Sequence, residues 1–279
     1  MSAFVIARLT FREASRRWVL WAALLLGILF LVVFALGFNQ MYLDMHSNQR
    51  TASQLLKNEM VNFMLQAGLY SVNFLTIIMT VLTSVDTLSG EIASGTIHTL
   101  LSKPVRRWEI VVGKWMGFSG MLTLYLLLMA GGVMAIVYLI SDYTAPNALR
   151  GLGLMWINIL LLLSVSLLGG AILSTLSNGV LVFGLYGVAF IGGWIEQIGS
   201  FMRNQTAVNI GILCSLLFPT ETIWKRAAYE MQSPVVGAFG GFSLFTGQST
   251  PSMLMVAYAI LYAAAALFLA VRLFHKRDL

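Results

Sequence analysis

Apolar residues in this chain come in long unbroken runs rather than in alternation. Six of them, at roughly 18–38, 69–85, 115–140, 152–176, 179–201 and 253–273, approach or exceed the roughly 20 residues a helix needs to cross a bilayer. A membrane barrel would instead show strands of about ten residues with period-two patterning. The runs lack that alternation, so they are read as helices whose backbone groups are satisfied within each span. The predicted fold is all-α, a polytopic membrane protein with six transmembrane helices.

The stretches between the runs carry patterns of their own. Within residues 1–17, Phe4, Ala7, Phe11 and Ala14, followed by Trp18, fall on one side at helical spacing, while Arg8, Arg12 and Arg16 form a second stripe. This is the pattern of an interfacial elbow helix beside anionic headgroups; a solvated continuation of the first span is the alternative. In the first loop, Ala52, Leu55, Leu56, Met60, Phe63 and Met64 are spaced by three and four, which predicts a helix against the outer leaflet or the neighbouring spans. Residues 202–252 are expected to form an extracytoplasmic loop. An apolar stretch from Val208 to Phe218 stops at Pro219, a short amphipathic segment from Thr220 to Met231 stops before Pro234, and a stretch with Gly237, Gly240, Gly241 and Gly247 leads to Pro251. The apolar stretch is too short to cross as a helix, so a re-entrant or interfacial segment is expected. A crossing there would carry the basic C-terminus to the other side.

Composition sharpens this picture. Of 279 residues 58% are hydrophobic and 10% charged, against about 25% charged in a soluble domain. A soluble globule is excluded because too little polar side chain remains to coat it. A single cysteine, Cys214, rules out an intrachain disulfide framework, and no Cys/His spacing suggests a zinc site, so no metal is expected. Four arginines ahead of a long first span, with no cleavage site after it, do not form a removable signal peptide.

Charge sets the expected orientation. With six spans, Arg8, Arg12, Arg16 and Arg17, then Lys103, Arg106, Arg107 and Lys114, then Arg272, Lys276 and Arg277, all fall on one side. The positive-inside bias makes that side, and both termini, cytoplasmic. The net charge of +6 is accounted for by that face and implies contact with lipid headgroups, not nucleic acid.

Residues 86–114 are the most informative. Seven of the chain's 28 charged residues lie between Asp86 and Trp115, which marks an exposed surface held close to the membrane. Ser94 or Thr96 is placed to cap a short helix ending near Lys103, and Pro104 to begin the next segment. Ile97, Leu100 and Leu101 give that helix an apolar side that needs a partner; the alternative is a solvated loop held near the membrane by its basic residues. Glu91, Gly95 and Thr96, Leu100 and Leu101, Pro104, Arg107, and Gly113 and Lys114 follow one another in an order that resembles the coupling region of type-2 ABC exporter permeases. The layout of six spans, elbow helix and long fifth loop is similar to that family as well. Within it the chain most resembles the permeases of multicopper-enzyme and nitrous oxide reductase maturation.

The resemblance implies an exporter's transmembrane subunit that pairs with a second permease copy or a paralogue. It also implies ABC ATPase subunits that bind ATP and Mg beneath it. Glu91, Gly95, Thr96, Leu100, Leu101, Pro104, Arg106 and Arg107 become the candidate ATPase-coupling residues. The chain itself is expected to be no enzyme and to bind no cofactor. A P-loop ending in Gly113-Lys114 would need Gly at 108 and Ser or Thr at 115, where this sequence has Trp108 and Trp115. A scaffold or assembly factor driven by an ATPase without moving a solute is the competing function.

Other chemistries leave thinner traces. Gly117-Phe118-Ser119-Gly120 matches the Gly-x-Ser-Gly of membrane serine proteases, but none of His46, His98 and His275 falls in a predicted span to serve as base. The glycines at 113, 117 and 120 are expected to allow close helix packing, as are Gly170/Ser174 and the Ala263–Ala266 run. Met41, Met45 and His46 are soft enough for Cu(I), yet the fifteen methionines mostly sit where Met simply packs. Glu196 is the only acidic residue expected within hydrophobic depth, either lining a substrate path or anchored at the interface beside Trp194. Asn73, Asn158 and Ser164 are expected to bond between helices.

Overall fold

A computed structural model describes residues 3–47, 54–95, 106–233 and 251–276, and among these the protein is entirely helical apart from turns. Ten helices follow in order: α1 (Ala3–Ser15), α2 (Trp18–Ser47), α3 (Gln54–Ser84), α4 (Asp86–Ala93), α5 (Arg107–Ser141), α6 (Ala148–Ile172), α7 (Thr175–Phe201), α8 (Gln205–Leu217), α9 (Thr220–Glu230) and α10 (Met253–Lys276). Six are long and apolar enough to cross a membrane, namely α2, α3 with α4, α5, α6, α7 and α10. They correspond one for one to the six predicted runs.

Burial sorts the spans into centre and periphery. Two thirds of the most apolar window of α3 is buried within the protein, against 11% for α2. The residues of α2 are therefore chosen for lipid rather than for neighbours, which is why it is the most hydropathic span. Central α3 instead carries Asn62, Gln66, Asn73, Thr76, Thr80, Thr83 and Ser84, all buried. Its threonines donate to carbonyls one turn back, Thr76 to Val72 and Thr80 to Thr76 at 2.7 Å, so each hydroxyl is satisfied without leaving the helix. Asn158 of α6 donates to Asn73 at 3.3 Å and Trp115 of α5 to Ser164 at 3.0 Å. These three polar residues join spans, as the sequence led us to expect.

Local signals set the ends. Asp142 takes a left-handed conformation (φ 56°) to close α5, a role short polar residues tolerate. The fourth span stops at Ile172 rather than 176, because Ser174 turns out of the helix and its side chain accepts from the Ser177 amide to start α7. Arg203 is left-handed as well (φ 55°), and Asn204 accepts from the amides of Thr206 and Ala207 at 3.1 and 3.3 Å. That N-cap reverses the chain from α7 into α8.

The helix expected over Met60, Phe63 and Met64 is present, with one change. Met60, Phe63 and Met64 do not belong to a separate outer helix, since α3 begins at Gln54 and runs through them. Nothing in the sequence breaks the helix there, and its polar residues find partners. Asn62 donates to the Met231 carbonyl at 3.2 Å, Gln66 to that of Ala228 at 3.0 Å, and Ser233 donates to Glu59 at 2.6 Å. Ala52, the side chains of Leu55 and Leu56, and the glycine-rich stretch from Gly237 to Gly247 lie outside the described residues.

Helices α8 and α9 meet at Pro219 with a bend of 103°, so the predicted break is present. The amphipathic piece, whose location the sequence left open, folds inward: nine of its eleven residues are buried among α3, α6, α7 and α10. Consecutive spans run antiparallel, so α1, α4, the start of α5 and the end of α10 share one end of the bundle, and α8 and α9 occupy the other.

Candidate coupling site

At the first end, the helix that begins the chain is packed into a seam on α5. A Cβ at Gly113 would stand 2.7 and 2.8 Å from Ile6 Cβ and the Ala3 carbonyl, and one at Gly117 would stand 2.7 and 2.8 Å from the Ala7 carbonyl and Thr10 Cβ. Only glycine admits a helix backbone this closely. The two glycines thus pack the elbow helix against a span, whereas Gly120 has only Phe11 at 3.9 Å. The buried face of α1 is Ile6, Ala7, Thr10 and Ala14, with Phe11 half-buried and Phe4 and Trp18 exposed. It is rotated from the predicted stripe because α5, not lipid, selects what it covers. Arg8, Arg12 and Arg16 are exposed.

The segment following α3 continues almost without a break as α4. Thr87, Leu88 and Ser89 are buried against α6 and the start of α7, and Ser89 shares a hydrogen bond of 2.9 Å with Thr175. Asn178, fully buried, donates to the carbonyls of Val85 and Ser166 at 3.1 and 2.9 Å, so one side chain ties the α3–α4 junction to α6. Ser94 sits at the C-terminal end of α4, and Gly95 follows in the left-handed conformation (φ 71°) that ends helices. Ser94 therefore terminates a helix rather than starting one.

Glu91 is turned inward, where it accepts a hydrogen bond from Lys114 Nζ of α5. Lys114 is only 3% exposed, so this is a desolvated ion pair whose halves come from opposite flanks of the charged segment. Arg106 N-caps α5, its amide held by Glu109 at 3.1 Å, and the Glu109 charge also suits the positive end of the helix. Arg107 donates to the His275 carbonyl at 3.1 Å, closing the C-terminal turn of α10 as a basic side chain can. Of the predicted coupling residues the structure thus brings Glu91, Gly95, Arg106 and Arg107 to one end of the bundle. Thr96, Leu100, Leu101 and Pro104, together with His98 and Lys103, lie outside the described residues. Sequence reasoning placed Lys114 in the motif and gave it no role. Its signal was an ammonium flanked by Gly113 and Trp115 at the start of an apolar run, where an unpaired charge is costly.

At the other end, Glu196 accepts a 2.8 Å hydrogen bond from Lys225 of α9, which also donates to the Gly193 carbonyl at 3.3 Å. Glu196 is thus paired, and a second acid at this end is more deeply buried. Glu221, one turn before Lys225, is 6% exposed and packs over Gly193, and its Oε2 has no hydrogen-bond partner among the described residues. Burial pushes its carboxyl up to about 7, with Lys225 opposing the rise and Glu196 adding to it. The hydroxyls of Ser215 and Thr220 and the indole of Trp224 are likewise buried without partners among the described residues. On the far side of α9, Arg226 bonds Glu230 at 2.5 Å and the Pro251 carbonyl at 3.2 Å, and Arg150 stands 3.8 Å from Glu230. The sequence showed four charges on a short segment but not that the segment folds into the bundle.

Ser119 donates to its own helix at Met116. No group of three His, Cys, Asp or Glu side chains among the described residues converges to hold a metal. Met41 and Met45 pack against the core, and the side chain of His46 lies outside the described residues.

Residues 4–279 match the profile of the ABC-2 family transporter proteins. No curated protein matches the sequence.

Proposed function

The chain belongs to the ABC-2 transporter family and is a membrane permease component of an ABC transporter, not itself the ATPase; from this premise we propose that it is the transmembrane half of an exporter. ATP and Mg are bound and used by separate ATPase subunits docked under residues 86–114. Both termini are cytoplasmic, following the basic residues at the end that carries α1 and α4. A second permease copy or a paralogue completes the path, since one six-span chain offers only one wall. An apolar groove of about 570 Å³ between α2, α3 and α7, lined by Leu29, Phe30, Tyr70, Phe74 and Phe190, supports such a shared path. Basic residues of α1 rest on lipid headgroups. The resemblance to permeases of multicopper-enzyme maturation makes an enzyme-maturation substrate the first class to test.

The observation that carries the coupling role is the buried Glu91–Lys114 pair. It joins the two flanks of the charged segment, so displacement of that segment by an ATPase is delivered into α5. From there it reaches α1 through the glycine seam and α10 through Arg107. Replacing Leu101 or Arg107 should uncouple ATP hydrolysis from transport or lose the ATPase in pull-downs; unchanged assembly and coupling would overturn the assignment. In liposomes containing the full complex, ATPase activity stimulated by a diffusible solute marks an exporter. Activity that no solute stimulates marks a scaffold that uses the strokes for assembly.

A further inference from the structure

The buried charges around α9 do not balance. Two carboxylates, Glu196 and Glu221, face one ammonium, Lys225, and Lys225 is already bonded to Glu196 and to the Gly193 carbonyl. The remaining described neighbours of Glu221 bring no compensating charge. From α3 comes Tyr70 and from α7 Tyr186, both within electrostatic reach of the carboxyl. Tyr70 also stacks on Trp224 with ring centres 5.2 Å apart. Arg226, Glu230 and Arg150, on the side toward α6 and α10, pair among themselves. A carboxylate buried with an unpartnered oxygen and no cation of its own is relieved by taking a proton.

We propose that the α8–α9 corner is a proton-operated latch, in which neutral Glu221 lets α9 seat against α7 and ionised Glu221 drives it away. Seating and ionisation are coupled because Glu221 packs directly over Gly193, one turn from the Glu196–Lys225 pair. In the seated state its carboxyl is held above the ordinary value, so the seated state is favoured fully at pH below that ordinary value. The advantage is lost as pH rises through about 7. The latch lies at the end opposite the coupling segment and requires no ATPase contact.

The protein carries its own reporter. Cys214, the only cysteine, lies on α8 and packs on Gly192 of α7, so its access to a small maleimide rises when the corner opens. The full-length protein in liposomes is labelled across pH 5–8, and each rate is divided by that of the same protein unfolded in detergent, which removes the thiol's own titration. The wild type should label on the order of tenfold faster at pH 8 than at pH 5, since each tenfold fall in proton activity between the open and seated carboxyl's titration points weakens seating by up to tenfold. Glu221→Gln should stay near the slow rate throughout. Identical profiles for the two, or a flat wild type, overturn the proposal. Where Glu221→Gln fails to assemble, amide exchange of α9 relative to α6 in the wild type decides. Protection of α9 that falls with pH beyond the intrinsic exchange trend supports the latch, and protection unchanged by pH overturns it.

Discussion

The two ends of the bundle each hold a buried lysine–glutamate pair, and they are built differently. At the coupling end one acid, Glu91, meets one ammonium, Lys114, 3% exposed, and a helix–glycine seam and the Arg107–His275 contact lie at the same end. At the other end Lys225 serves Glu196 with Glu221 left over, amid four further buried polar side-chain atoms, on Ser215, Thr220, Trp224 and Arg226, that lack partners among the described residues. A balanced pair in low dielectric fixes geometry, because separating its members exposes each to the full cost of burial. An unbalanced one stores a protonation equilibrium. On the proposed reading, one end transmits and the other responds.

The largest expected effect strikes the balanced pair. Lys114→Met removes the ammonium opposite Glu91 and should cost about 3–5 kcal/mol, measured as a lowered thermal midpoint in detergent. Adding Glu91→Gln should recover most of the loss, and a double variant no better than the single would show that the pair is not a clamp. Lys225→Met should cost less, on the order of 1–3 kcal/mol at pH 8, and progressively less toward pH 5 as Glu221 takes up a proton. A loss that does not depend on pH would erase the distinction between the ends. Gly117→Leu forces α1 off α5 and should cost about 1–3 kcal/mol by overpacking, whereas Gly120→Leu, where only Phe11 stands within 4 Å, should be near neutral. Trypsin cleavage at Arg12 reports the difference. Arg107→Ala should be mildest in stability, about 0.5–1.5 kcal/mol, while still weakening the coupling of ATP hydrolysis to transport.

Much of the architecture was legible beforehand because lipid imposes it locally. A span must be long, apolar and self-bonded, so the six runs could be counted and the break at Pro219 placed. The N-terminal helix was equally legible from spacing, but not the face it buries: Ile6 and Thr10 are covered because two glycines about a hundred residues away leave room for them. The helix over Met60, Phe63 and Met64 was legible too, but not that it is the start of α3, for a related reason. Asn62 and Gln66 look like loop residues until the carbonyls of Met231 and Ala228 are seen to receive them. In the candidate site, Glu91 and Arg107 stood out from motif order, whereas Lys114, Asn178 and Glu221 gained meaning only from the helices that pack against them.

By itself, then, the sequence determined the solvent, the number of spans and the segment where charge concentrates, since each depends on a property readable within about twenty consecutive residues. Tertiary structure alone decided which charges are paired. Lys114 meets Glu91 across 23 residues and Lys225 meets Glu196 across 29, and the free energy of a buried charge depends on what stands opposite it, not on what precedes it.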